Sequence, residues 1–367
     1  MKVLHLIARM NVGGTARYLT MLSNGLESKG IESSIATGFV QGAEAEDPSV
    51  ASVKLHRINN LGRAINPIAD HNAFNEFEAL VAKEKPDIIH SHTFKAGFIT
   101  RFRKTSLNKA AGKEIKFVHT FHGHLLDDPE FTGLKKLLII QAEKVLAKRA
   151  DKILTVGNRV SDELLQNGIG RPEQYLNIPP GVMALPEIEK TEARQKLGMA
   201  THGKVVGWLA RVTGVKNPLL AAEVANEFPD VQFIFGGAGD QLEALKSAVK
   251  ENAKVMGWVD AATFISACDL VISTSENEGM PVDLIEAQMA GKPVVATNVG
   301  SVSEVIIDGE TGFVTEKSKY ELVLKLQQLL SDDEMTEKMS KAAKNHANKA
   351  FSPEAMVQKH IDLYKAL

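Results

Sequence analysis

The stretch Met1-Lys2-Val3-Leu4-His5-Leu6-Ile7, followed after two residues by Met10-Asn11-Val12-Gly13-Gly14-Thr15-Ala16-Arg17, sets the reading of the whole chain. The opening run is apolar but short, and Asn11 and the Gly13-Gly14 pair interrupt it. It reads as a first buried strand and not as a signal peptide. The Gly13-Gly14 turn joins this strand to a first helix. Glycines let the backbone approach a ligand closely, and a helix start favours an anion. The pattern is not the dinucleotide G-x-G-x-x-G fingerprint. Taken alone, a Gly-Gly turn is a weak signal.

The same alternation of short apolar runs and helical patterns continues along the chain. Strands are predicted at 3–7, 32–37, 88–91, 117–121 and 152–156, and helices at 16–28, 74–85, 133–149 and 158–167. A second series follows, with strands at 205–209, 232–235, 255–256, 270–273 and 294–296. Its helices are predicted at 218–227, 241–250, 261–267, 281–290 and 301–307. Such alternation predicts an α/β fold with parallel sheets and helices on both faces. Between the two series, Asn177-Ile178-Pro179-Pro180-Gly181-Val182 has the composition of a hinge. The expectation is two Rossmann-like, doubly wound domains, 1–178 and 179–351, facing across a cleft. Ligands then bind beyond the C-terminal strand ends.

The bulk numbers fit this division. At 367 residues the chain is too long for one ordinary core. Its formal net charge of −2 argues against a nucleic-acid partner. Cys268 is the single cysteine, so no internal disulfide can form and a reducing, cytoplasmic setting is expected. No Cys or His cluster has the spacing of a structural metal site, and no metal is expected. The histidines of His90-Ser91-His92 lack a third ligand in the sequence. No apolar run approaches the ~20 residues needed to span a bilayer. Residues 95–116 carry Arg101, Arg103, Lys104, Lys109 and Lys113 with few acids. They read either as a solvated basic face or as a peripheral contact with an anionic membrane surface.

Several segments carry chemistry. Ser275-Glu276-Asn277-Glu278-Gly279-Met280-Pro281-Val282-Asp283-Leu284-Ile285-Glu286 follows a strand, and Pro281 suits the first turn of a helix. The Gly279 amide and its neighbours then lie at a positive helix end, which suits a phosphate or a sugar hydroxyl. Glu278 precedes the helix and Glu286 lies about two turns into it, placed to hold separate hydroxyl sets of one elongated ligand. The plain alternative is a helix cap and a solvated carboxylate. Ala210-Arg211-Val212-Thr213-Gly214-Val215-Lys216 leaves another strand end, and a guanidinium with an ammonium suits a diphosphate. Gly236-Gly237-Ala238-Gly239 reads as a backbone contact to a nucleotide or as a plain connection. In Val118-His119-Thr120-Phe121-His122-Gly123-His124, strand alternation sends His119 to the core and leaves His122 at the strand end. There its imidazole can bind a hydroxyl or move a proton.

Taken in order, these segments resemble family 4 of the glycosyltransferases, over nearly the whole chain. The resemblance implies the two-domain GT-B fold, a retaining transfer and no required metal. It implies a nucleotide-diphosphate sugar (UDP- or GDP-sugar) as donor and a saccharide or lipid-linked saccharide as acceptor. Gly13-Gly14 matches the family's N-terminal turn near the donor phosphates and acceptor. His122, in its Thr-x-His-Gly setting, matches the histidine at the transfer point. Arg211 and Lys216 match the pair on the diphosphate. Glu278 and Glu286 match the E-x7-E pattern, the first near the transferred sugar and the second on the ribose, with Gly279, Met280 and Pro281 between them. The resemblance further implies a terminal helix, 352–367, returning to the first domain. A nucleotide-sugar epimerase of the same fold and a non-catalytic nucleotide- or glycan-binding protein are the competing readings. Thr15-Ala16-Arg17 and Met280-Pro281 depart from the common family pattern, which leaves donor sugar and acceptor open.

Overall fold

The computed structural model describes residues 1–40, 45–62, 66–123 and 133–367; His124 lies outside the described residues. The chain divides into two units, Met1–Gly181 with Pro353–Leu367, and Val182–Ser352.

The first strand, β1 (Lys2–Ile7), explains its own apolar sequence. Val3 and Ile7 join a core under the helices Gly14–Ser28 and Pro353–Ala366. Leu4 and Leu6 point the other way, into a core with Phe74 and Phe77 of the helix Pro67–Glu84. A strand covered on both faces has no solvent side to require polar residues. Its partners are β2 (Glu32–Thr37), β3 (Leu55–Arg57), β4 (Ile88–His92), β5 (Lys116–Phe121), β6 (Lys152–Thr155) and β7 (Tyr175–Asn177). They form one parallel sheet in the order β3-β2-β1-β4-β5-β6-β7.

The second unit repeats the plan with β8 (Val205–Leu209), β9 (Gln232–Gly236), β10 (Ala253–Gly257), β11 (Leu270–Ser273), β12 (Val294–Thr297) and β13 (Gly312–Thr315). Its parallel sheet has the order β10-β9-β8-β11-β12-β13. Both sheets therefore reverse their winding once, between β1 and β4 in the first and between β8 and β11 in the second. At such a reversal neighbouring connections leave toward opposite faces and open a crevice at the strand ends.

Three strands escape the sequence pattern. β3 and β7 have three residues each, and β13 is a four-residue edge strand. The helix Pro67–Glu84 starts seven residues before the predicted 74. Its start signal is local: Asn66 accepts from the amides of Ile68 and Ala69, and Pro67 occupies the first turn. The helices Lys319–Ser331 and Asp333–Phe351 are also absent from the sequence reading.

Of the basic residues in 95–116, Arg101 is not a surface residue, while Lys109 and Lys113 are exposed. Arg101 is fully buried and makes a two-pronged ion pair with Glu143, at 2.8 and 2.9 Å. Lys104 pairs with Asp151 at 2.9 Å and Lys113 with Asp87 at 2.5 Å. Arg103 lies over the Phe74 ring at 4.2 Å. Much of this positive charge is therefore used inside unit 1. Among the described residues no helix is long and apolar enough to cross a membrane.

Breaking the Arg101–Glu143 pair leaves an uncompensated buried charge. Glu143→Ala is expected to lower the stability of unit 1 by about 3–5 kcal/mol, with Arg101→Met/Glu143→Leu regaining most of the loss. Urea denaturation of the three chains checks this; equal losses in the single and double variants would count against it.

Candidate active site

In unit 2 the two loops flanking the reversal are joined by side chains. The loop after β8 carries Arg211 and Lys216, and the loop after β11 carries Glu278. Lys216 Nζ lies 2.5 Å from Glu278 Oε1, and Ser275 Oγ donates to the same oxygen at 2.6 Å. Glu278 is only 7 % exposed, so its carboxylate exchanges water for these two partners. Thr274 binds the first loop to the second. Its hydroxyl lies 3.1 Å from the Lys216 carbonyl and 2.8 Å from that of Asn217, and it accepts from Trp208 Nε1 at 3.0 Å. The Glu276 amide donates to the Val215 carbonyl at 2.8 Å.

Local backbone fixes each donor. Asn217 adopts the left-handed region, φ 47°, a conformation asparagine tolerates, and its side chain caps the helix Pro218–Ala225 through the Leu220 amide. This turns Lys216 out of the helix path. Gly237 and Gly239 pack closely behind the loop after β8. A side chain on Gly237 would come within 1.8 Å of the Ala210 carbonyl oxygen, and one on Gly239 within 2.2 Å of that of Val212. The glycines let this turn support the Arg211 loop from behind, bonded through Val212 N to Ala238 O at 3.0 Å.

The helix after Glu278 begins at Val282, with Pro281 as its cap residue, one position later than predicted. Gly279 and Met280 are half-buried, Pro281 is buried, and the Gly279 carbonyl accepts from the Ser301 amide at 3.1 Å. Gly300 holds the other side. It has φ +52°, and a Cβ there would lie 1.5 Å from the Glu278 carbonyl oxygen. Glu286 stands on the same helix, partly buried. Arg211 is exposed at its strand end. Asp283, given no role by the sequence reading, belongs to the same electrostatic group. Burial pushes its carboxyl up; the Lys216 charge opposes this and Glu278 adds to it.

Unit 1 presents a different chemistry at its reversal. Gly13 and Gly14 are exposed at the start of the helix Gly14–Ser28, and a Cβ on Gly14 would meet nothing within 4 Å. One turn on, the buried Tyr18 ring stands edge-on to His122, with centroids 4.8 Å apart. His122 follows β5 directly and is half-buried. His119 points to the opposite face, fully buried against Phe121.

The sequence reading missed a group of buried histidines. His5 on β1, His90 and His92 on β4, and His360 on the terminal helix are all fully buried on the side of the sheet facing that helix. His5 supplies a third imidazole to His90 and His92, with candidate ligand atoms all within 4.8 Å of one another. Both His90 nitrogens already have hydroxyl partners, Tyr364 at 2.6 Å and Thr120 at 2.7 Å. No sequence pattern announced this group; the strand register, which pairs His5 with His90 directly, assembles it. At Thr93, just past β4, the backbone has φ +68°, an uncommon conformation for a β-branched residue.

Comparisons place this arrangement. The model for glycosyltransferase family 4 matches residues 12–183, and that for group 1 glycosyl transferases matches 189–346. An Escherichia coli UDP-Gal:α-D-GlcNAc-diphosphoundecaprenol α-1,3-galactosyltransferase is 28% identical over 330 residues, 85% of this chain and 84% of its own. A Corynebacterium aurimucosum D-inositol 3-phosphate glycosyltransferase is 27% identical over 293 residues, 71% of this chain and 67% of its own. Anabaena HepE in complex with UDP superposes with a TM-score of 0.81 at 21% identity, covering 100% of both chains. Sucrose-phosphate synthase from Thermosynechococcus elongatus gives 0.77 at 18%, covering 100% of this chain and 98% of its own. The fold is that of the GT-B enzymes, built of two parallel-sheet α/β domains. The chain belongs to glycosyltransferase family 4 and is a glycosyltransferase.

Gly300→Ala is expected to displace the Glu278 backbone. Left-handed strain and overpacking together should cost unit 2 roughly 2–4 kcal/mol. Transferase activity should fall with it. Thermal denaturation and turnover, measured side by side, check this; a fully stable and active variant would remove Gly300 from the account.

Proposed function

We propose that the protein transfers a sugar from a nucleotide diphosphate to a saccharide hydroxyl with retention of configuration, in polysaccharide or glycolipid assembly. The observation that carries this reading is the Lys216–Glu278 pair at the reversal between β8 and β11. It puts a cation and a hydroxyl-binding carboxylate at one strand-end crevice. Lys216 and Arg211 bind the diphosphate, aided by the amides at the start of the Val282–Met289 helix. Glu286 binds the ribose. Glu278 holds hydroxyls of the sugar, and His122 contributes a further hydrogen bond to it. The Gly13-Gly14 turn leaves room for substrate in unit 1. A UDP-sugar is the favoured donor, because the Escherichia coli relative is named for UDP-Gal.

In this reading the bond from the sugar's anomeric carbon to the diphosphate oxygen breaks as the cations take up the developing charge. The acceptor oxygen bonds to that carbon on the same face, and its proton passes to the departing phosphate. Lys216→Ala is expected to lower kcat/KM about a hundredfold or more. The product should keep the donor's anomeric configuration by NMR. Full activity without Lys216, or an inverted product, defeats the scheme.

A lipid-linked acceptor is the favoured one, supported by the same relative, which is named for α-D-GlcNAc-diphosphoundecaprenol. Unit 1 offers apolar side chains suited to a membrane surface. Phe98 and Phe102 are 40% and 50% exposed and stack at 5.3 Å; on a helix packed nearby, Leu137 and Leu138 are 52% and 61% exposed. Lys135 and Lys136 flank the second pair. The protein is expected to float with phosphatidylglycerol vesicles, and Phe98→Ser/Phe102→Ser to weaken this severalfold. No recovery with either anionic or neutral vesicles would argue for a soluble acceptor.

A further inference from the structure

Three imidazoles in unit 1 form a hydrogen-bonded chain that ends at His122. His5 Nδ1 lies 3.1 Å from His92 Nε2, and His92 Nδ1 lies 3.0 Å from His122 Nε2. His5 and His92 are fully buried, and His122 is half-buried. The inner end of the chain is His5 Nε2, a buried atom with no hydrogen-bond partner among the described residues. The surroundings of all three rings favour the neutral form. Burial is the main cause: it holds His5 and His122 down to about 3 and His92 well below the usual histidine value.

Neutrality makes the protons countable. Three neutral imidazoles carry three N–H protons on six nitrogens. Each of the two N···N contacts takes one of them, and the third must sit at one end of the chain. If His92 donates toward His5, then His122 donates from Nε2 and the third proton sits on His5 Nε2. That is a buried N–H with nothing to receive it. If His92 donates toward His122, then His5 donates from Nδ1 and the third proton sits on His122 Nδ1. The inner end is then a bare ring nitrogen. Orphaned buried N–H groups are rarer in proteins than orphaned acceptors, so the second arrangement is favoured.

We propose that His5 and His92 are positioning residues that fix His122 as its neutral Nδ1–H tautomer, so that the ring offers the transferred sugar a hydrogen-bond donor and not a base. This rests on the assignment of His122 to the sugar. The chain explains why a histidine is wanted at positions 5 and 92. An aliphatic residue at either would fill the space but would release the tautomer of the next ring. A cation held by His5, His90 and His92 is the competing use of these rings. It would need a His90 nitrogen already bonded to Tyr364 or Thr120. On His92 it would take Nε2 from His5 or Nδ1 from His122.

Long-range ¹H–¹⁵N NMR of the full chain, labelled with ¹⁵N-histidine and assigned by single substitutions, reads the tautomers directly. Protonated Nδ1 and bare Nε2 are expected for His122 at neutral pH. In His5→Leu that preference should weaken, and kcat should fall roughly tenfold, the worth of one hydrogen bond, with the KM for nucleotide sugar unchanged. His5→Asn, whose amide can donate in place of Nδ1, should restore both. A His122 carrying its proton on Nε2, an unmoved tautomer in His5→Leu, or one tightly held metal per chain that His5→Leu loses would each overturn the proposal. The tautomer is read without any substrate, so failure to find sugar transfer defeats the functional reading and leaves this test standing.

Discussion

The constraint on which the rest depends is the reversal of winding in a parallel sheet. Parallel strands can be joined only by crossovers, and the crossovers here are mostly helices that cover the faces. A sheet that grows from its middle in two directions must send two adjacent connections apart. The resulting crevice cannot be filled by the chain's own helices. Both sheets place it beside their first strand, β1 in one unit and β8 in the other. Most of the site residues follow from that geometry, because the connections after these strands and after β4 and β11 border the gap; His122 comes from the next strand over, β5.

A crevice alone does not make a defined site, since its walls are loops. In unit 2 the loops are fixed by contacts that leave little freedom to either. Thr274 bonds to Trp208 and to two carbonyls of the neighbouring loop. Gly237 and Gly239 bring a third connection in behind, and Gly300 closes on the Glu278 backbone. Lys216 and Glu278 are thus held by the backbone before they meet each other. A charge pair so held is pre-organised, and little side-chain entropy remains to be lost when a ligand competes for either partner.

The sequence disclosed most of this frame, because both-face burial writes continuous apolar runs and each crossover helix follows at a regular distance. The edge strands β3, β7 and β13 did not declare themselves: three residues such as Leu55–Arg57 are too few to show a period. Motif residues were legible where residue type and strand end coincided, as for Lys216, Glu278 and His122. Arg101 shows the opposite case. Charge counting put it on a basic face, whereas its ion partner Glu143 lies 42 residues away and buries it. The buried histidines were illegible for a related reason. His5, His90 and His360 are far apart in the chain, and only the strand register and the returning terminal helix bring them together.

The two units therefore meet the same topological problem with opposite polar solutions. Around its reversal, unit 2 supplies formal charge, a lysine on a carboxylate with Asp283 drawn into the same field. Unit 1 supplies imidazoles that burial keeps uncharged, tied by hydroxyls of Thr120, Tyr18 and Tyr364. The charge in unit 2 suits the diphosphate proposed to bind there, and a neutral imidazole suits the hydroxyl contact proposed for His122. A departing diphosphate carries charge that a fixed cation stabilises strongly. A sugar carries only hydroxyls, which a neutral and correctly oriented donor can select without binding phosphate in the wrong register. Charging the histidines would place several cations together in the core of unit 1, with no acid among the partners seen around them. Their neutrality is thus a condition of the fold of unit 1.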